Sequence, residues 1–188
     1  DPVKLRMSTI LWIPVVVFAL GIVGHFIGVD WGRVPADLLL AIVVAGILVG
    51  FTEETLFRGI ILRALRTDNR AEAWVVLISS LWFGFFHLTN IVNGSPAGGV
   101  LVQCLMASAL GVALYLFRRF SGLLVAGMVA HGLWDMSVFL PASDTGKLLG
   151  LGIQAVVLVF ALIALIVLFV QERRMAVTPT GVVELPAT

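Results

Sequence analysis

Six stretches of this chain are long and apolar enough to cross a lipid bilayer, and no other feature constrains its fold as tightly. They run over about Ile10–Val29, Ala36–Leu62, Ala73–Asn90, Gly98–Phe117, Gly122–Leu140 and Leu148–Val170. A spanning helix needs about 20 mostly apolar residues to match a hydrocarbon core roughly 30 Å thick. Barrel strands would instead be alternating segments of about ten residues, and a run such as AVVLVFALIALIVLFV does not alternate. Composition agrees, with 60% hydrophobic and 12% charged residues, against roughly 45–50% and 25% in soluble domains. The expected fold class is all-α, a polytopic membrane bundle of about six transmembrane helices. The first stretch is too long for a signal peptide and lacks a small-residue cleavage site, so it reads as a span.

The charge balance narrows the function. Twelve Lys and Arg against 11 Asp and Glu give a net charge of +1, which excludes a nucleic-acid binder built on a basic surface. Cys104 is the single cysteine, so an intramolecular disulfide and a multi-cysteine metal site are both excluded. With both termini cytoplasmic, nine basic residues fall on the inner side, among them Arg63, Arg66, Arg70, Arg118 and Arg119, and only Arg33 and Lys147 on the outer. That asymmetry is the positive-inside signature and predicts a multi-pass protein of the cell membrane. Turn-forming runs suit the outer loops Asp30–Pro35, Asn90–Pro96 and Pro141–Gly146. Residues 1–175 read as a single transmembrane catalytic domain and 176–188 as a disordered cytoplasmic tail. The chain begins at Asp1 rather than Met, which points to an upstream segment.

A short set of ionisable groups remains inside the spans: Glu53, Glu54 and Arg58 on the second, His87 on the third, and His131 and Asp135 on the fifth. Each charge at a helix centre costs about 2.5–3.5 kcal/mol on insertion scales, so such a cluster marks a functional site by default. The blander reading makes each a satisfied polar group holding helices together. Depth separates the two. Glu53 precedes Arg63 by ten residues, His87 follows Trp74 by 13, and His131 follows Arg119 by 12. At ~1.5 Å per residue these lie about 15, 20 and 18 Å from the inner boundary. Three helices thus bring ionisable groups to one level, in a cleft-like or conical polar cavity. His25, near the outer end of the first span, does not join them and reads as structural or interfacial.

Spacing adds chemistry. Glu54 and Arg58 stand at i and i+4 and can pair along one helix face, leaving Glu53, about 100° around the helix, as the less neutralised carboxylate. His131 and Asp135 share that spacing, which suits two ligands or a histidine and the group fixing its tautomer. No G-x-S-x-G elbow is present and Cys104 has no acidic or His neighbour, so a nucleophile is lacking. A carboxylate with a histidine can activate water instead, and a second histidine pair can stabilise an oxyanion. Zinc held by His87, His131, Asp135 and Glu53 is an alternative, although no H-E-x-x-H helix is present and the spacing demands no metal or other cofactor.

These motifs resemble those of the CPBP family, the CAAX protease and bacteriocin-processing (ABI) intramembrane endopeptidases. Glu53-Glu54-Thr55-Leu56-Phe57-Arg58 matches its EExxxR signature, Phe83–His87 its FxxxH, and His131–Asp135 its third motif, a His followed four residues on by Asn or Asp. The resemblance covers about Ala36–Leu140. It implies a metal-independent glutamic endopeptidase in which Glu53 with His87 activates water. His131 and Asp135 would form the oxyanion-side pair, and Glu54 and Arg58 the supporting acid and its partner. Asp135 stands where the prenyl-protein enzymes carry Asn; either it is protonated in its low-dielectric setting or it orients His131. Asn90, one residue early for the Asn those enzymes place after the second-motif His, is a further candidate. Relatives commonly have eight spans, so six mark a short bacterial-type member or a trimmed chain. The implied partners are a peptide or membrane-protein substrate and the lipid bilayer. The rival readings are a proton-coupled transporter and a non-catalytic immunity or scaffold protein of the same fold.

Overall fold

Backbone N–H and C=O groups in lipid have no water to bond to, so an apolar run must satisfy them internally, as a helix does. The computed structural model describes residues 9–67 and 70–177, and every extended element among them is helical. A 3-10 turn, Thr9–Leu11, leads into α1 (Trp12–Ile27). Helix α2 (Ala36–Glu54) continues through a π-helical segment, Thr55–Ile61, into α3 (Leu62–Thr67). Then come α4 (Glu72–Phe86), the short α5 (Thr89–Val92), α6 (Ala97–Ser121), α7 (Leu124–Phe139) and α8 (Asp144–Val177). Pro35 and Pro96 directly precede α2 and α6, where a missing N–H breaks no helical bond.

Among the described residues, five helical stretches are long and apolar enough to cross a membrane: Thr9–Ile27, Ala36–Thr67, Glu72–Val92, Ala97–Ser121 and Asp144–Arg173. The expected fifth span, Gly122–Leu140, is shorter than read. Gly122 caps α6 in the left-handed region at φ 71, Leu123 and Leu140 are extended, and α7 keeps 16 residues. At ~1.5 Å per residue it reaches only about 24 Å. The third expected span, Ala73–Asn90, falls within the crossing stretch Glu72–Val92, which a turn interrupts: α4 ends at Phe86, and His87 is its C-cap before α5. The second runs on to Thr67, beyond the Leu62 boundary. The expected tail lies outside the described residues from 178 onward, as do Lys4 and Arg6.

In lipid, helices associate by close packing and interhelical hydrogen bonds rather than by a hydrophobic drive, so small residues mark their contacts. Helix α2 packs along α7 at such a seam. A Cβ at Gly50 would lie 2.4 Å from Met128 O, and one at Gly132 would lie 2.7 Å from Gly46 O. On α4 and α6 the same device operates, since a Cβ at Gly84 would meet Cys104 O at 2.4 Å. Helix α6 runs through the middle of the bundle, with residues 109–116 all buried. At the arginine-bearing end, Glu72 accepts Arg66 Nε at 3.1 Å and the Tyr115 hydroxyl at 2.8 Å, joining α3, α4 and α6. At the opposite end Asp30 N donates to Pro141 O at 2.8 Å and Ser143 N to Gly28 O at 3.0 Å, tying two loops together.

Candidate active site

The α2–α7 seam sets Glu53 and Glu54 against His131. Each keeps a buried Oε2 without a hydrogen-bond partner among the described residues, and they differ in what their other oxygen meets and in their access to the cavity. Glu54 is fully buried. Its Oε1 accepts Arg58 Nη1 at 2.6 Å and His131 Nδ1 at 3.1 Å. Arg58, 1% exposed, also donates from Nη2 to Gly111 O at 3.0 Å and lies 4.4 Å from the centre of the Phe83 ring. A buried ion pair persists only when further contacts satisfy its remaining groups, and Arg58 finds a hydrogen bond on α6 and a cation–π contact on α4. Its four-residue spacing from Glu54 crosses the junction from α- to π-helix, a distortion that concentrates at functional sites.

Glu53 faces the other way. Its Oε2 is buried without a hydrogen-bond partner among the described residues and stands 3.9 Å from His131 Nε2. His131 is 2% exposed. Because Glu54 accepts at Nδ1, that nitrogen carries the hydrogen, and Nε2 is turned between Glu53 and Asp135, whose Oδ2 is 3.6 Å away. His87 accepts nothing at Nδ1: Phe83 O lies there at 3.1 Å, and a carbonyl only accepts, so Nδ1 donates, which in the neutral ring leaves the lone pair on Nε2. Phe83 is the hub of this arrangement, edge-on to His131 at 5.4 Å and to His87 at 5.5 Å.

Glu53, His87 and Asp135, from three helices, line one cavity of about 460 Å³. His131, Glu54 and Arg58 stand behind that wall rather than on it. Glu53 and His87 share the cavity without an ion pair or hydrogen bond between them, while Asp135 lies in electrostatic range of His131, Glu53 and His87. The lining extends to Asn90, Gly99 and Phe139, so the cavity occupies the half of the bundle away from the arginine-bearing end. His25 lies outside the cluster, edge-on to Trp134 at 5.1 Å beside a second cavity of about 320 Å³. Cys104 is a buried free thiol. Among the described residues no three His, Cys, Asp or Glu side chains stand together as a metal-ligand set.

The inventory of charged groups passed over Gln103 and Gln154, which line the same cavity. Their signal was an uncharged amide inside an otherwise apolar span.

Spanning helices that turn carboxylates and a histidine onto an intramembrane cavity define a multi-pass membrane protein with a polar site in its core. The family model described as Type II CAAX prenyl endopeptidase Rce1-like matches residues 35–137, more than half of the chain, and the chain belongs to that family. The match covers α2 through most of α7 and so every residue of the cluster. No curated protein and no solved structure matches the chain.

Proposed function

We propose that the protein is an intramembrane endopeptidase of the glutamic type, hydrolysing peptide bonds with water activated by Glu53 and His87. The observation that carries this reading is the Glu53 carboxylate oxygen, buried without a hydrogen-bond partner on the wall of a cavity that His87 also lines. A water between them would lose a proton to Glu53 while its oxygen attacks the scissile carbonyl carbon. The resulting oxyanion needs a donor. A protonated Asp135, which lines the cavity, supplies one, with His131 Nε2 behind it at 3.6 Å, and its proton removes the repulsion an ionised Asp135 would exert. Glu54 is a positioning residue, fixing the His131 tautomer while neutralising Arg58. The proton held by Glu53 then passes to the leaving nitrogen as the C–N bond breaks, giving a carboxylate and an amine.

Two further proposals concern setting. With both termini cytoplasmic, in the cell membrane, the cavity faces away from the cytoplasm. That orientation favours exported or membrane-embedded peptides over prenylated cytoplasmic proteins. A transport pathway would need a polar track reaching both ends; on the arginine-bearing side of Arg58 the buried side chains are mostly apolar, Leu62, Val75, Val112 and Leu116 among them, with Ser79 and the Tyr115 hydroxyl interspersed. The test is cleavage of a peptide library by the reconstituted protein, wild type against Glu53→Ala, with and without a chelator. Chelator-insensitive cleavage that Glu53→Ala abolishes is the expected result; equal cleavage by both proteins sinks the assignment.

A further inference from the structure

Three uncharged amides surround the reacting groups and have no part in the chemistry described above. Gln103 on α6 and Gln154 on α8 interrupt otherwise apolar stretches, and lipid offers such a group no hydrogen-bond partner. Both turn to the cavity that Glu53, His87 and Asp135 line, and Asn90 on α5 joins them there. Asn90 Nδ2 donates to Gln103 Oε1 at 3.0 Å. That bond leaves Asn90 Oδ1 free to accept and Gln103 Nε2 free to donate. Gln154 makes no hydrogen bond to another described residue, so its donors and its acceptor are both open.

A carboxamide carries the same donor and acceptor pair as a peptide unit. A peptide entering this cavity leaves water behind, and each of its N–H and C=O groups must be re-paired or remain unsatisfied. We propose that Gln103, with Asn90 and Gln154, is the docking station for the backbone of an extended substrate, holding it beside Glu53. The inference rests on the endopeptidase reading and adds a substrate property to it. Neutral amides grip the main chain without selecting charged side chains, so recognition depends on free backbone N–H and C=O groups next to the scissile bond.

The test uses the full chain in lipid nanodiscs and a peptide that the wild type cleaves, prepared with each backbone nitrogen methylated in turn. Methylation at one position next to the scissile bond should raise KM about tenfold, the scale of one hydrogen bond, with kcat changed far less. Gln103→Leu should raise KM similarly on the unmethylated peptide and show no further loss on the methylated one. Gln103→Asn should recover part of the loss. Gln154→Leu repeats the comparison independently should Gln103→Leu fail to fold. Losses from methylation and substitution that simply multiply, or a fall in kcat at constant KM, overturn the proposal. Binding is read separately, by fluorescence anisotropy of the labelled peptide library on the Glu53→Gln protein. Methylation-sensitive binding to the Glu53→Gln protein, with a wild type that cleaves nothing, keeps the docking station and overturns only the catalytic reading. Methylation-insensitive binding, or none, overturns the docking station.

Discussion

Neighbouring glutamates with different surroundings should have opposite effects on stability when each is changed to glutamine. Glu54→Gln removes the countercharge of Arg58, which is 1% exposed and ion-paired at 2.6 Å. Breaking a buried pair by neutralising one partner costs about 3–5 kcal/mol, because the other charge stays buried. Two contacts hold the loss near the lower end. Arg58 keeps its bond to Gly111 O and its place over Phe83, a cation–π contact worth about 0.5–2 kcal/mol. The amide oxygen can also still accept from His131. The expected loss is therefore about 3 kcal/mol. Glu53→Gln removes a carboxylate whose buried Oε2 has no partner. The amide still lacks a partner there, but burying a charge costs more than burying a neutral polar group, so this change should be neutral or stabilising by about 1 kcal/mol. Unfolding in mixed micelles, followed by circular dichroism, measures both. A loss below about 1 kcal/mol for Glu54→Gln, or an equal loss for Glu53→Gln, refutes the reasoning that separates the two roles.

The remaining expectations follow from the packing and the charge distribution. Phe83→Ala should cost about 3–5 kcal/mol and cut cleavage more than its destabilisation accounts for, because both histidines lean on that ring; activity retained in the folded fraction would contradict this. Gly132→Ala places a methyl 2.7 Å from Gly46 O, so it should push α2 from α7 at a cost of about 1–3 kcal/mol; an unchanged unfolding midpoint would count against the close seam. Tyr115→Phe removes the hydroxyl bond to Glu72 and should lower stability by about 1–3 kcal/mol without altering kcat. In a Cys104→Ser background, a membrane-impermeant thiol reagent should label Ser95→Cys from outside intact cells and leave Ala71→Cys unlabelled; the reverse pattern inverts the proposed orientation.

The helices were legible because runs such as Leu148–Val170 leave the backbone no other stable state in lipid. Their ends were less so. In a helix apolar on every side, hydrophobic periodicity carries no register, so nothing in Thr55–Ile61 announces a π segment. The left-handed Gly122 that shortens α7 stands at the edge of the expected span, where the Ser121–Gly122 pair does signal a turn. His87 terminates α4, which nothing in its apolar surroundings announces. The Glu54–Arg58 pair followed from four-residue spacing, whereas the bond from His131 to Glu54 depends on where α7 meets α2. That meeting is set by Gly46, Gly50 and Gly132, which look unremarkable in a chain with 19 glycines. Gln103 and Gln154 escaped notice because a count of charges does not see amides.

The central claim, that the unpartnered Glu53 carboxylate delivers a water to a peptide carbonyl, is tested most directly by cleavage in heavy-oxygen water. The wild type should leave the isotope in the new carboxyl terminus, and Glu53→Gln, folded and at least as stable, should give no product. Labelled product from Glu53→Gln at the wild-type rate would contradict the account.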